Sequence, residues 1–167
     1  PGVGGHCIPI DPVFLNFAAK KFGYDSKFIK LSSDVNFKTV KFVETKVISF
    51  LVKNSIKFSK AKILFLGLAY KKNLDDYRES ASLKLFDLLG KKRIKNIRVY
   101  DPHFKRNNTP KKITLLKNLT SQVLSKFDLV VLMTDHDCFN YEFIFKNSKK
   151  IIDCRGKFSE SEKVIRG

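Results

Sequence analysis

Apolar positions follow two different periods along the chain, and the period changes near residue 60. Before that point the spacing is helical. Phe14, Leu15, Ala18 and Phe22 recur at three- and four-residue intervals. Asp11-Pro12 predicts the start of this helix, because Asp is a good N-cap and a proline in the first helical position gives up no hydrogen bond. Gly23 supplies a stop. A longer helix is expected over residues 26–51. It carries two apolar stripes, one of Phe28, Leu31, Val35 and Phe42, the other of Val40, Val43, Val47 and Leu51. Two stripes predict burial on two sides, as in a helix that joins domains or pairs with another subunit.

Beyond the polar, lysine-rich stretch 53–62, short apolar runs alternate with helical ones. Ile63-Leu64-Phe65-Leu66, ending at Gly67, reads as a buried parallel strand. Ser80 caps a helix whose apolar face is Leu83, Leu85, Leu88 and Leu89, with Gly90 near its end. Residues 97–100 form the next strand, stopped by Asp101-Pro102. A basic, asparagine-rich stretch, 105–112, leads to a short helix over 121–125. The clearest strand is 129–133; a short helix over 141–145 then precedes a final strand over 150–153. Right-handed crossovers between such strands give an α/β fold. We expect a helical linker and dimerisation segment, residues 1–58, followed by a Rossmann-like parallel-sheet domain, residues 59–167. Ligands of such sheets lie beyond the carboxyl ends of the strands.

A length of 167 residues allows one core with an attached helical segment. The charge needs a reading of its own, since 33 Lys and Arg oppose 16 Asp and Glu to give +17. The excess is scattered as pairs such as Lys20-Lys21, Lys91-Lys92 and Lys149-Lys150. A dedicated nucleic-acid face clusters Arg with aromatics on one element. The lysines therefore read as solvated faces plus the means to hold a diphosphate. No apolar run approaches the ~18 residues of a membrane span, and no secretory leader is visible. Three cysteines at wide spacing fit reduced thiols in a cytoplasm. The only methionine, Met133, is internal, so the chain is expected to be part of a longer protein.

Gly2-Val3-Gly4 begins like a dinucleotide fingerprint, but Cys7 stands where the third glycine belongs and no apolar strand precedes it. The alternative is a glycine turn that presents Cys7 to a substrate near a helix N-terminus, a setting that favours the thiolate. The bland reading of a single Cys is a small buried hydrophobe. Asp135-His136-Asp137-Cys138 lacks the spaced pairs of a zinc site, and no metal is expected.

The run Pro1-Gly2-Val3-Gly4-Gly5-His6-Cys7-Ile8-Pro9-Ile10-Asp11-Pro12 resembles the catalytic-cysteine motif of the UDP-glucose/GDP-mannose dehydrogenase family. Its Gly-Gly-His-Cys-Ile-Pro form is similar to the branch acting on UDP-N-acetylhexosamines; Ile10 stands where the UDP-glucose branch often has Lys. Gly67-Leu68-Ala69-Tyr70-Lys71-Lys72-Asn73, Asp75-Asp76-Tyr77-Arg78-Glu79-Ser80, Val99-Tyr100-Asp101-Pro102 and Asp153-Cys154-Arg155-Gly156 follow in the family's order and spacing.

The resemblance implies two successive hydride transfers to NAD⁺ that oxidise a sugar C6 alcohol to a carboxylate. Cys7 would attack the intermediate aldehyde, and the resulting thiohemiacetal would be oxidised to a thioester that water hydrolyses. Asp11 aligns with an aspartate that positions water or exchanges protons; as a residue it is equally a helix N-cap, and both roles can hold. Gly4, Tyr70, Lys71 and Arg155 match substrate-binding positions, Lys71 as a point charge for the diphosphate. Arg155 read alone is a surface salt bridge. Arg78 matches an arginine that reaches NAD, and otherwise pairs with Asp75 or Asp76. His6 either touches the sugar or packs the loop. By the same resemblance, the main NAD site and a catalytic lysine belong to an upstream domain, the parent is a homodimer, and this chain alone is inactive. Two other readings stand beside it: a non-catalytic nucleotide-sugar-binding or dimerisation module, and a basic polyanion-binding domain.

Overall fold

The computed structural model describes residues 1–105 and 108–167. The expected stretch 105–112 therefore includes two residues, 106 and 107, that lie outside the described ones. Two helices come first, α1 (Cys7–Lys20) and α2 (Lys27–Lys53). An α/β unit follows: β1 (Ile63–Leu66), α3 (Ala81–Lys91), β2 (Ile97–Tyr100), α4 (Ser121–Leu124), β3 (Leu129–Leu132), α5 (Tyr141–Asn147), β4 (Ile151–Asp153) and β5 (Val164–Arg166). The strands form one parallel sheet in the order β2-β1-β3-β4-β5. The fold class read from the sequence holds, with a fifth strand in addition.

Side-chain alternation divides the sheet's neighbours between two cores. Ile63, Phe65, Val99, Val131 and Ile152 face α2 and α3, where Val40, Val43, Val47, Leu51, Leu85 and Leu89 meet them. Leu64, Leu66, Val130, Leu132 and Ile151 face α4 and α5, and pack on Leu124, Phe127, Ile144 and Phe158. The result is helix, sheet, helix. Local chemistry sets the helix starts, because Ser26, Ser80, Thr120 and Asn140 each accept a first-turn N–H with the side-chain oxygen.

Two expectations are overturned, and one, burial on two sides of α2, is met on one side by this chain alone. First, α1 starts at Cys7, with His6 in the N-cap position, so Pro12 lies inside the helix and Asp11 caps nothing. Proline is tolerated there because it is only the sixth helical residue, where its missing N–H costs a single bond. Second, the α2 stripes differ in fate. Val40, Val43, Val47 and Leu51 are buried, whereas Phe28, Leu31, Val35 and Phe42 are exposed, Phe28 by 79%. On α1, too, Phe14, Leu15 and Phe17 are exposed. Third, β5 was not foreseen. It has only three residues at the sheet edge, and its burial is partial, so the hydrophobic signal is weak.

The two stripes predict opposite mutational outcomes in this chain. Leu51→Ala should cost about 3 kcal/mol through the cavity it leaves, and Leu31→Ala less than about 0.5 kcal/mol. Urea unfolding of both variants compares them directly; equal losses would mean that the buried stripe does not anchor α2.

Candidate active site

The strand order reverses between β1 and β3, since β2 lies on one side of β1 and the later strands on the other. At such a switch point the carboxyl ends diverge into a crevice that takes ligands. The two loops flanking it are tightly joined. Gly67, at φ +90, leaves no room for a side chain, because a Cβ there would meet the Thr134 Cβ at 2.3 Å. Thr134 Oγ1 donates to the Ala69 carbonyl at 2.6 Å, and Ser82 Oγ donates to the Gly67 carbonyl at 2.7 Å.

The cysteine loop docks on the same edge. Gly5 N–H donates to the Arg78 carbonyl at 2.9 Å. A Cβ at Gly4 would meet Tyr70 Cβ at 2.6 Å and the Glu79 carbonyl oxygen at 2.8 Å, while one at Gly5 would touch the Tyr70 ring at 3.0 Å. Absence of side chains at 4 and 5 is thus what lets the loop lie on Tyr70. On its other side Asn36 of α2 grips Val3, accepting its N–H at 2.7 Å and donating to its carbonyl at 3.4 Å. Cys7 emerges from this seat exposed, as the first residue of α1. Asp11 follows one turn later, and the i, i+4 spacing places both on one helix face. Gly4, Cys7, Tyr70 and Arg78 are thus brought together, with Asp11 one helical turn beyond Cys7.

The glycines of this loop do not form a phosphate cradle, because they are filled by Asn36, Tyr70 and Glu79. Arg78, the expected cofactor contact, stands at this same edge. Its guanidinium is exposed and forked onto Asp76, with Nη2 to Oδ2 at 2.7 Å and Nε to Oδ2 at 3.0 Å. The hydrogen bond from Arg78 holds the Asp76 carboxyl below the usual range.

Lys71 and Lys72 part company. Lys72 pairs with Asp137 at 2.9 Å, whereas Lys71 is exposed and forms no ion pair among the described residues. Arg155, just past β4, donates from Nε to Asp135 Oδ1 at 2.7 Å, so the bland salt bridge is present. Burial pushes the Asp135 carboxyl up, but Arg155 and then Lys157 outweigh it and hold it low. His6 is exposed at the helix start.

Sequence reasoning missed the residues that hold this edge. Asp101 is buried at the end of β2, where Oδ2 accepts the N–H groups of Leu68 at 2.7 Å and Ala69 at 3.2 Å and the Nε2 of His136 at 3.0 Å. Its Oδ1 accepts His103 N–H at 3.0 Å. Burial works to raise the Asp101 pKa, and the donors led by His136 prevail and lower it. His136 points inward to this carboxylate, whereas Asp137, next in the chain, is exposed. The available signal was Asp-Pro closing a strand, whose carboxylate lies within reach of the neighbouring strand's loop. Asp153 does the same at the end of β4, accepting from Arg155, Gly156 and Phe158 N–H groups and from Arg166.

Comparison with known proteins agrees with the fold and the motif order. The UDP-binding domain of the UDP-glucose/GDP-mannose dehydrogenase family matches residues 64–160, and the family's central domain matches residues 1–38. This chain belongs to that family. It is 35% identical to the UDP-N-acetyl-D-mannosamine dehydrogenase of Pyrococcus horikoshii over 95% of its own length and 36% of the relative's. It is 32% identical to the Escherichia coli (strain K12) protein of that name, over 83% of the chain and 33% of the relative. The solved structure of the Pyrococcus horikoshii enzyme superposes with a TM-score of 0.76 at 34% identity, covering 96% of this chain and 36% of that one. The chain spans about a third of the length of the curated relatives it matches, in their C-terminal part. Among the described residues no helix is long and apolar enough to cross a membrane.

Two outcomes follow from the geometry. A lowered carboxylate pKa adds stability that is complete above the ordinary aspartate range and is lost as pH falls through the folded value. Asp101→Asn should therefore cost about 3 kcal/mol at pH 7, and the gap from wild type should close as pH falls below about 4. Urea titrations at the two pH values measure it; a gap independent of pH would exclude a charged Asp101. For the thiols, burial pushes Cys154 up to about 12, while Cys7 and Cys138 are exposed. Iodoacetamide at pH 8 should label Cys7 and Cys138 well before Cys154, which is half-buried with its thiol pushed up, read by mass spectrometry of the peptides; first labelling at Cys154 would contradict that raised thiol.

Proposed function

We propose that this chain is the C-terminal part of an NAD-dependent nucleotide-sugar 6-dehydrogenase, oxidising the C6 alcohol of a UDP-N-acetylhexosamine to the uronic acid through Cys7. The observation that carries the reading is the seat of the cysteine loop on Tyr70 and Arg78, which puts an exposed thiol at the sheet's ligand edge. The names of the relatives support the N-acetylhexosamine branch and the N-acetylmannosamine form within it.

Residues 1–58 then serve as the catalytic-cysteine loop and central helical segment, and residues 59–167 as the UDP-sugar domain. Lys71 holds the diphosphate as an unengaged cation. Tyr70 and Gly4 form the wall against which the sugar approaches, and Arg155 turns from Asp135 to the substrate. Cys7 Sγ adds to C6 at the aldehyde level, and once that carbon has given up its second hydride the resulting thioester is hydrolysed, returning the thiol and releasing the acid; Asp11, one turn away, positions the water and takes its proton. A thiolate suits this role because it adds readily to an aldehyde and leaves readily from a thioester. Bound NAD⁺ supplies the hydride acceptor. Arg78 would contact it, and the rest of its site lies in the remaining part of the parent protein, so this chain alone does not turn over.

Exposed apolar side chains on both helices support a partner. Phe14, Leu15 and Phe17 of α1, with Phe28, Leu31, Val35 and Phe42 of α2, are all exposed, a concentration of large apolar side chains of the kind that marks an interaction site. In this reading a second copy and the rest of the parent cover it, giving a homodimer in the cytoplasm. The lysine pairs, spread over the whole chain, give no reason to add a nucleic-acid partner.

Cys7→Ser in the full-length parent should abolish formation of the uronic acid, followed by NADH absorbance and product mass. Normal product yield would remove Cys7 from the mechanism. NAD⁺ reduction by the 167-residue chain with a UDP-sugar would overturn the assignment of the cofactor site to the remaining part.

A further inference from the structure

We propose that the buried Asp101–His136 pair is a positioning device that sets residues 68–73, and through them Tyr70 and Lys71, for binding the nucleotide sugar. The proposal rests on the reading of Tyr70 and Lys71 as substrate groups, and deepens it. The loop after β1 is held at both ends by one connected pair of side chains. At its start, Leu68 and Ala69 donate their N–H groups to Asp101 Oδ2, at 2.7 and 3.2 Å. At its end, Asn73 donates its N–H to His136 Nδ1 at 2.9 Å. His136 Nε2 closes the circuit on Asp101 Oδ2 at 3.0 Å.

The bond from Asn73 fixes the imidazole's state. Nδ1 accepts, so it carries no proton, and the proton of the neutral ring lies on Nε2 facing the carboxylate. Both side chains are fully buried. The His103 ring, 4.7 Å away, and the Phe139 ring, 5.2 Å away and edge-on, pack against the imidazole. Asn73 is held at φ 60, in the left-handed region, a conformation that needs support from its surroundings. Its side chain adds a second tie, donating to Asp137 Oδ2 at 2.6 Å, and Tyr70 N–H donates to the Asp76 carbonyl at 3.0 Å.

Stability alone is a poor account of such a pair, since an apolar pair of the same volume commonly serves a core as well or better. What an apolar pair cannot do is fix three backbone N–H groups on two sides of a loop. Between those fixed points stand Tyr70, against which the cysteine loop packs, and Lys71, without an ion-pair partner among the described residues. The pair acts through these two residues and does not itself face the crevice.

The test measures binding of UDP-N-acetyl-D-mannosamine to the 167-residue chain by calorimetry, with circular dichroism to verify folding. Four proteins are compared with wild type: Lys71→Ala, His136→Leu, His136→Asn and the Lys71→Ala/His136→Leu double variant. His136→Leu should weaken binding about tenfold, the scale of one lost hydrogen bond. His136→Asn should recover part of that loss, because its amide oxygen can stand where Nδ1 stood and accept from Asn73. If the pair acts through Lys71, His136→Leu should cost little more once Lys71 is gone; a merely structural role predicts additive losses. Wild-type affinity in Lys71→Ala would overturn the substrate reading itself. Weakened binding in Lys71→Ala, with wild-type affinity in both His136 variants or with strict additivity, would overturn the positioning role alone. Should His136→Leu not fold, His136→Asn decides, because it still loses the link to Asp101: a severalfold weakening supports the proposal and wild-type affinity ends it.

Discussion

A carboxylate removed from water must gather donors nearby or lose its charge. Asp101 gathers four, and they come from three separate segments: two backbone N–H groups after β1, one after β2 itself, and an imidazole after β3. Three loops that a parallel sheet would otherwise leave to wander are thereby referred to one point. The crevice at the strand-order reversal has defined walls for this reason. Asp153, at the end of β4, also gathers backbone N–H groups, here from the loop that follows it.

The nucleophile reaches that edge by a different kind of contact. Among the described residues no side-chain ion pair holds the cysteine loop; it lies on Tyr70 because Gly4 and Gly5 have no side chains, and it is gripped through its backbone by the Asn36 side chain and the Arg78 carbonyl. A loop fixed by its main chain keeps its side chains free for chemistry. His6 and Cys7 are exposed, and α1 starts where the constraint ends. Of the exposed thiols, Cys7 alone emerges from this seat beside Tyr70 and Arg78. Cys138, in the loop after β3, lies near His103.

Much of this was legible in the sequence because the signals were local. Short runs ended by Gly67 or by Asp101-Pro102 identify strands, and Ser26 and Ser80 identify helix starts. The motifs quoted from the family resemblance led to the residues on the crevice. What could not be read depends on partners distant in sequence. Asn36 meets Val3 across 33 residues, and His136 meets Asp101 across 35. A buried histidine looks the same in sequence as an exposed one. The start of α1 was misplaced because Asp11-Pro12 is a strong local signal; the docking of Gly5 on Arg78 overrides it and lets the helix begin at Cys7. Nor does periodicity say which of two stripes on a helix meets its own domain.

Helix α2, 27 residues long, spans about 40 Å and does two jobs on one rigid rod. Its C-terminal half is wedged into the sheet through Val40, Val43, Val47 and Leu51, while Asn36, one turn before that wedge, holds the cysteine loop. The phase between the two is therefore quantised. One residue inserted between Asn36 and Val40 would swing the grip by about 100° around the rod and carry the thiol's anchor off the crevice. Loops elsewhere in such a fold can change length freely; this segment can drift in composition but not in count.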